Sequence, residues 1–145
     1  MNTTGSVRKN KRVFWILMMI VILIGCLGSI AYLLFIGADK KLAEHRQRGN
    51  EYLMKDDYRG AREEFLKALE LEPENLVVYV QLAEACIGLE DYREAADFLE
   101  QALVIAEEGE AAPEQYEVLV NKLAECYRNS GEEGKREGLL KQNFR

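Results

Sequence analysis

The chain has 145 residues, which allows one domain together with a membrane segment if one is present. Of its 19 Lys and Arg only four precede residue 37, whereas all 25 Asp and Glu follow it, so the larger part has a balance of about −10. This acidity argues against nucleic acid as a partner and against docking on anionic lipid, because both require a basic face.

The N-terminal segment combines a basic tail with a long apolar run. Residues 1–12 contain four Lys and Arg, and residues 13–36 contain no charged residue. At 1.5 Å per residue the run would form a helix of about 36 Å, enough to cross a hydrocarbon core of about 30 Å. We therefore predict a cytoplasmic tail over 1–12 and a transmembrane helix over 13–36. A cleaved signal peptide would have a shorter apolar core, so a permanent signal anchor is favoured.

The charges that flank this run predict its orientation. Four basic residues precede it and four follow it closely, which is a tie by count. Because the N-terminal cluster lies directly beside the run, we expect a single-pass cell-membrane protein whose N-terminus is cytoplasmic. The opposite orientation stays open. Gly25 and Ser29 form a small-xxx-small pair that would allow self-association, although small residues are common in membrane helices.

After a short joint predicted at 37–41, the sequence repeats itself at an offset of 34 residues. The recurring pairs are Gly49 and Ala83, Tyr52 and Cys86, Tyr58 and Tyr92, Ala61 and Ala95, Phe65 and Leu99, and Ala68 and Ala102. Two antiparallel helices pack closely where a small side chain faces a bulky one. On this reasoning Gly49 and Ala61 are the small contacts. Tyr52 and Phe65 are the bulky residues that fill the space opposite them.

The repeat divides residues 42–145 into three units. We predict helices over 42–54, 58–71, 76–89 and 92–107, repeats over 42–75 and 76–109, and a degenerate third unit over 113–145. Pro73 ends the second helix, and Gly109 ends the fourth. An insertion of about seven residues precedes the third unit, whose last helix is expected to be partly polar because no further unit covers it.

This pattern resembles the tetratricopeptide repeat (TPR) family. The resemblance implies an all-α fold, here a single transmembrane helix followed by a short solenoid of helical hairpins. It also implies a protein-protein interaction module, a scaffold or adaptor that binds a peptide or partner protein on the concave surface formed by the first helix of each repeat. Candidate contacts on that surface are Arg46, Asn50, Tyr79, Gln81, Glu84 and Lys122, with Val80 and Ile87 beside them.

The family also suggests an alternative function. Some members hold the acidic C-terminal tail of chaperones with a set of cations and amides, and the matching positions here are Arg46, Asn50, Gln81, Val118 and Lys122. Gln81 is a longer amide than the family residue, and Val118 removes one cation. Tail capture by a cytosol-facing receptor or co-chaperone-like adaptor is thus the alternative. Tyr79 has a second interpretation as well, in packing between helices.

The sequence shows no catalytic or metal-binding motif. His45 is the single histidine, so a multi-histidine metal site is excluded, and its position favours a helix cap or a solvent-exposed role. The three cysteines do not make a disulfide framework; Cys86 and Cys126 are expected in the core, with a bridge between them left as a further possibility. We predict no enzymatic activity and no cofactor.

Overall fold

The computed structural model describes residues 4–109 and 112–143, with the side chains of 4–13, 30, 31 and 33–38 outside the described part. The chain divides into two units, Met1–Lys40 and Lys41–Arg145. The helices of the described residues are α1 (Thr4–Leu53), α2 (Tyr58–Leu71), α3 (Leu76–Gly88), α4 (Tyr92–Glu108), α5 (Pro113–Ser130) and α6 (Glu133–Asn143). These residues are thus all-helical, as the sequence predicted.

The predicted transmembrane helix over 13–36 is wrong. Within 4–109 and 112–143, no helix provides an apolar stretch long enough to cross a membrane. The signal anchor, the single-pass cell-membrane localisation and the orientation drawn from the flanking charges depended on this helix and are withdrawn with it.

Two further N-terminal predictions are affected. The hydroxyl of Ser29 donates to the carbonyl of Gly25 within the same helix, at 2.8 Å, and self-association through these two residues is not supported. The joint predicted at 37–41 falls inside the bounds of α1. The first repeat helix, expected to begin near residue 42, also lies within these bounds and ends at Leu53. No proline between residues 4 and 53 interrupts it.

The 34-residue period reappears in the turns that start α2 and α4. The carboxylate of Asp57 accepts a hydrogen bond from the backbone N–H of Gly60 at 3.0 Å, and that of Asp91 accepts one from Glu94 at 3.2 Å. Each carboxylate satisfies a backbone donor that a helix N-terminus leaves without a partner. The residues just before these turns, Asp56 and Glu90, both have positive φ, of 56° and 62°. The two repeats thus use the same backbone turn.

The packing of small against bulky residues in the first repeat is confirmed for Gly49 and Phe65 but not for Tyr52. A Cβ added to Gly49 would lie 2.3 Å from Cε1 of Phe65, so only glycine fits there. Ala61 and Phe65 are fully buried. Tyr52 lies against Gly60 instead and keeps part of its ring exposed. The close approach of α1 and α2 therefore depends on the contact between Gly49 and Phe65.

The last described helix, α6, is mostly polar. In α5 the buried side chains include Leu123 and Tyr127, and the helix ends at Gly131, whose φ of 81° suits a residue without a Cβ. No residue of α6 is fully buried, and Leu139 contacts the core from its edge. Among the described helices of residues 41–143, α6 is thus weakly packed.

Candidate functional site

Three helices of the second unit contribute polar side chains that contact one another. They are the part of α1 that follows residue 41, α3 and α5, the helices predicted to begin the three repeats. On each helix the relevant residues are spaced by three, four or seven positions, so they share one face. We call this face the inner surface and define it by Arg46, Asn50, Val77, Gln81, Glu84, Val118 and Lys122.

Gln81 connects α3 to α1 on the inner surface. Its side-chain oxygen accepts a hydrogen bond from Nε of Arg46 at 3.3 Å, and its amide nitrogen donates to Oδ1 of Asn50 at 2.6 Å. The structure thus brings three predicted site residues together. Arg46 makes no ion pair within the described part of the chain, so its positive charge has no carboxylate beside it there.

Lys122 and Glu84 form the second contact on the inner surface. Nζ of Lys122 lies 2.5 Å from Oε1 of Glu84, which joins α5 to α3. Both side chains are partly exposed, so the pair adds little to stability. Its consequence is electrostatic, because each residue compensates the charge of the other and Lys122 offers little net attraction to an anion.

Tyr79 and its neighbours lie away from this cluster. The ring centroid of Tyr79 is 6.3 Å from that of Phe98 on α4, and both rings are half-buried. Val80 and Ile87 also pack against the core between α3 and α4. These residues hold the helices together, and the structure does not bring them to the polar contacts of Arg46 and Lys122.

Two valines complete the inner surface and were not predicted as contacts. Val77 is 48% exposed and Val118 is 55% exposed. Val77 lies four residues before Gln81, and Val118 lies four residues before Lys122, so each shares a helix face with a predicted site residue. That spacing could have identified both valines from the sequence. From the sequence alone, Val118 was treated only as a position where a cation is absent.

A comparison with known proteins identifies the family of this fold. A family model described as "Tetratricopeptide repeat" matches residues 52–112. These residues belong to the tetratricopeptide repeat family. No curated protein sequence matches the chain significantly. The 34-residue offset and the paired turns at Asp57 and Asp91 are therefore the marks of TPR units.

Two solved structures are similar to this TPR fold. The N-terminal domain of stress-induced protein-1 (STI-1) from C. elegans has a TM-score of 0.66 at 19% identity, over 73% of this chain and 83% of that one. The TPR domain of Arabidopsis FLU has a TM-score of 0.62 at 20% identity, over 73% of this chain and 93% of that one. At such identities the likeness concerns the fold alone.

A buried carboxylate lies inside the first TPR unit, on the side chain of Glu64. Nδ1 of His45 lies 2.8 Å from one carboxylate oxygen, and Nζ of Lys67 lies 2.6 Å from the other. Burial alone would raise the pKa of Glu64, but the hydrogen bonds from Lys67 and His45 outweigh it and lower the pKa. The predicted cap or solvent-exposed role of His45 is wrong, because His45 joins α1 to α2 through Glu64.

This pairing predicts a specific dependence of stability on pH. Since the pKa of Glu64 is lower in the folded chain, its contribution is complete above the unfolded pKa of about 4.3 and is lost as the pH falls through the folded value. We expect Glu64→Gln to flatten the plot of unfolding free energy against pH below about pH 5, by at most about 1.4 kcal/mol per pH unit. Urea titrations at several pH values measure this.

The matched control for this prediction is Glu63→Gln. Glu63 is exposed, and its carboxylate accepts no hydrogen bond from any described residue. We expect this variant to follow the pH dependence of the unmodified chain. Equal flattening in both variants would show that total charge, and not the contact with His45 and Lys67, determines the acid sensitivity.

The cysteines of the TPR units have structural roles. Cys86 and Cys126 are both buried and free, so the bridge considered between them is not formed. Burial raises the pKa of Cys86 to about 12, with a further contribution from the nearby carboxylate of Glu94. A thiol with so high a pKa is a poor nucleophile. Among the described residues, moreover, no group of three or more His, Cys, Asp and Glu is placed to hold a metal ion.

Proposed function

We propose that this protein is an interaction module whose inner surface binds a peptide segment of a partner protein. The TPR fold is that of a protein-protein interaction module. The observation that supports peptide binding at the inner surface is the mixture of apolar and polar side chains there. Two half-exposed valines, Val77 and Val118, border a polar cluster in which Arg46 has no carboxylate partner among the described residues.

Burial of the two valines would supply the apolar part of the binding energy. Removing apolar surface from water yields about 25 cal/mol per Å². The polar cluster would then fix the position of the peptide, because hydrogen bonds to Arg46, Asn50 and Gln81 depend on geometry. An apolar contact beside a few oriented polar groups is the usual composition of a peptide groove.

The alternative, capture of an acidic C-terminal tail, is less well supported by the contacts. Of the five positions that the family uses, Val118 carries no charge and Lys122 already pairs with Glu84. Arg46, Asn50 and Gln81 remain and contact one another. We therefore favour a peptide that the inner surface recognises partly through its apolar side chains.

Site-specific photo-crosslinking in cells tests the proposed function. A photoreactive amino acid is placed at Val77 or Val118 on the inner surface, or at Val104 on α4, which is 49% exposed and outside that surface. We expect the two inner positions to crosslink to the same partner, at the same segment of its sequence, and Val104 to give no such adduct. Crosslinking to that segment from Val104 alone would overturn the proposal.

A further inference from the structure

We infer that the inner surface selects an internal peptide segment that presents one acidic side chain to Arg46 and apolar side chains to Val77 and Val118, and not a free C-terminal carboxylate. This inference rests on the proposed function and specifies the ligand for the same surface. The ligand is a partner segment whose one negative charge complements the positive charge of Arg46.

The number of inner-surface cations that have no carboxylate partner indicates that the peptide contributes a single acidic side chain. On the inner surface, Arg46 is the cation that has no carboxylate within ion-pair distance in the part of the chain that the structure describes. Lys122 lies 2.5 Å from Glu84. One carboxylate can therefore be compensated at Arg46, whereas a second one near Lys122 would also meet the negative charge of Glu84.

An acidic C-terminal tail would bring two carboxylates close together. The terminal carboxylate and an adjacent acidic side chain both need a donor or a cation when water is removed from them, since an uncompensated charge is costly to desolvate. At the position where such a set would place a further cation, this chain has Val118. The surface thus favours an apolar side chain where a tail would offer its second charge.

The amides determine how the guanidinium is held. Gln81 accepts from Nε of Arg46 and donates to Asn50, which fixes the side chain of Arg46 at one edge and leaves its terminal nitrogens to donate elsewhere. A carboxylate that accepts from a guanidinium makes a charge-assisted hydrogen bond, about twice as strong as a neutral one. An aspartate or glutamate side chain in the peptide fits this donor.

The test is a selection of peptides on the full-length chain. One library of random 12-residue peptides is displayed with both ends joined to the carrier protein, and a second one with a free C-terminus. We expect enrichment from the first library of peptides that combine one acidic residue with apolar ones. For these peptides, synthesised with blocked ends, Arg46→Gln should lower the affinity by at least about tenfold, because it removes a hydrogen bond to a charged group.

Two further measurements test the roles of the terminal carboxylate and of Lys122. Amidation of the peptide C-terminus should change the affinity by less than about twofold, because the inner surface does not bind a terminal carboxylate. Glu84→Gln should improve the binding of free acidic tails several-fold, because it releases the charge of Lys122 from its partner. Circular dichroism of each variant checks that the helices are retained.

The possible outcomes distinguish this inference from the proposed function. Enrichment of tails from the free-terminus library alone, with binding abolished by amidation, would overturn the inference and retain a peptide-binding inner surface. Internal peptides whose affinity is unaffected by Arg46→Gln would also overturn it. The absence of enriched peptides from both libraries would overturn the inference and the proposed function together.

Discussion

Replacement of Leu99 by alanine is expected to lower the free energy of unfolding by about 2–5 kcal/mol. Leu99 is fully buried in α4, in the cluster that also contains Cys86 and Leu123, so truncation leaves a cavity among side chains of three helices. The expected loss combines the transfer energy of the removed carbons with the cost of that cavity. Urea unfolding followed by circular dichroism measures it.

The matched control is Leu71→Ala. Leu71 is the last residue of α2 and is 40% exposed, so its truncation removes few contacts and should cost less than about 1 kcal/mol. If both variants lose the same stability, the core between α3, α4 and α5 is not arranged as described.

A second large effect is expected from a single added methyl group at Gly49. The new Cβ would lie 2.3 Å from Cε1 and 2.7 Å from Cδ1 of Phe65. Because Phe65 is fully buried, its ring has no space to move into and the helices must separate. We expect Gly49→Ala to lower the free energy of unfolding by about 2 kcal/mol, since overpacking outweighs the better helix propensity of alanine.

The same change at Gly138 provides the control with the opposite sign. Gly138 lies in α6, and a Cβ added there would meet nothing within 4 Å. Gly138→Ala should therefore raise the free energy of unfolding by up to about 1 kcal/mol, the propensity difference between the two residues. A gain in stability at Gly49 as well would contradict the close approach of α1 and α2.

The repeat helices could be predicted from local chemistry. Helix α2 spans Tyr58–Leu71, as predicted, and α4 ends within one residue of its predicted end, at Glu108. Asp57 and Asp91 cap these helices through their own side chains, so a short stretch of sequence contains the signal. The same argument applies to Gly49, which the small-to-bulky alternation identified before any contact was known.

For the N-terminal part, the apolar composition led to a wrong prediction of a transmembrane helix. The prediction for 13–36 equated the length of an uncharged run with the length of a helix that crosses a bilayer. No helix of the described residues meets that requirement. Helix α1 also begins earlier than predicted, at Thr4.

The site was predicted as a set of positions but not as a set of contacts. Arg46 and Gln81 are 35 residues apart, and Glu84 and Lys122 are 38 apart. Whether such side chains pair depends on the packing of three helices and on rotamers that no sequence pattern specifies. The pairing of Lys122 with Glu84 is therefore what the structure adds, and it is one basis for the ligand that we propose.

The most direct test of the central claim compares two valine variants of the full-length chain. The partner segment identified by crosslinking is titrated against Val77→Glu on the inner surface and Val104→Glu on α4, two positions of nearly equal exposure. A carboxylate introduced into an apolar contact loses its water without gaining a partner, so we predict a loss of affinity of about tenfold or more for Val77→Glu and less than about twofold for Val104→Glu. Equal affinities of the two variants, or a larger loss for Val104→Glu, would contradict binding at the inner surface.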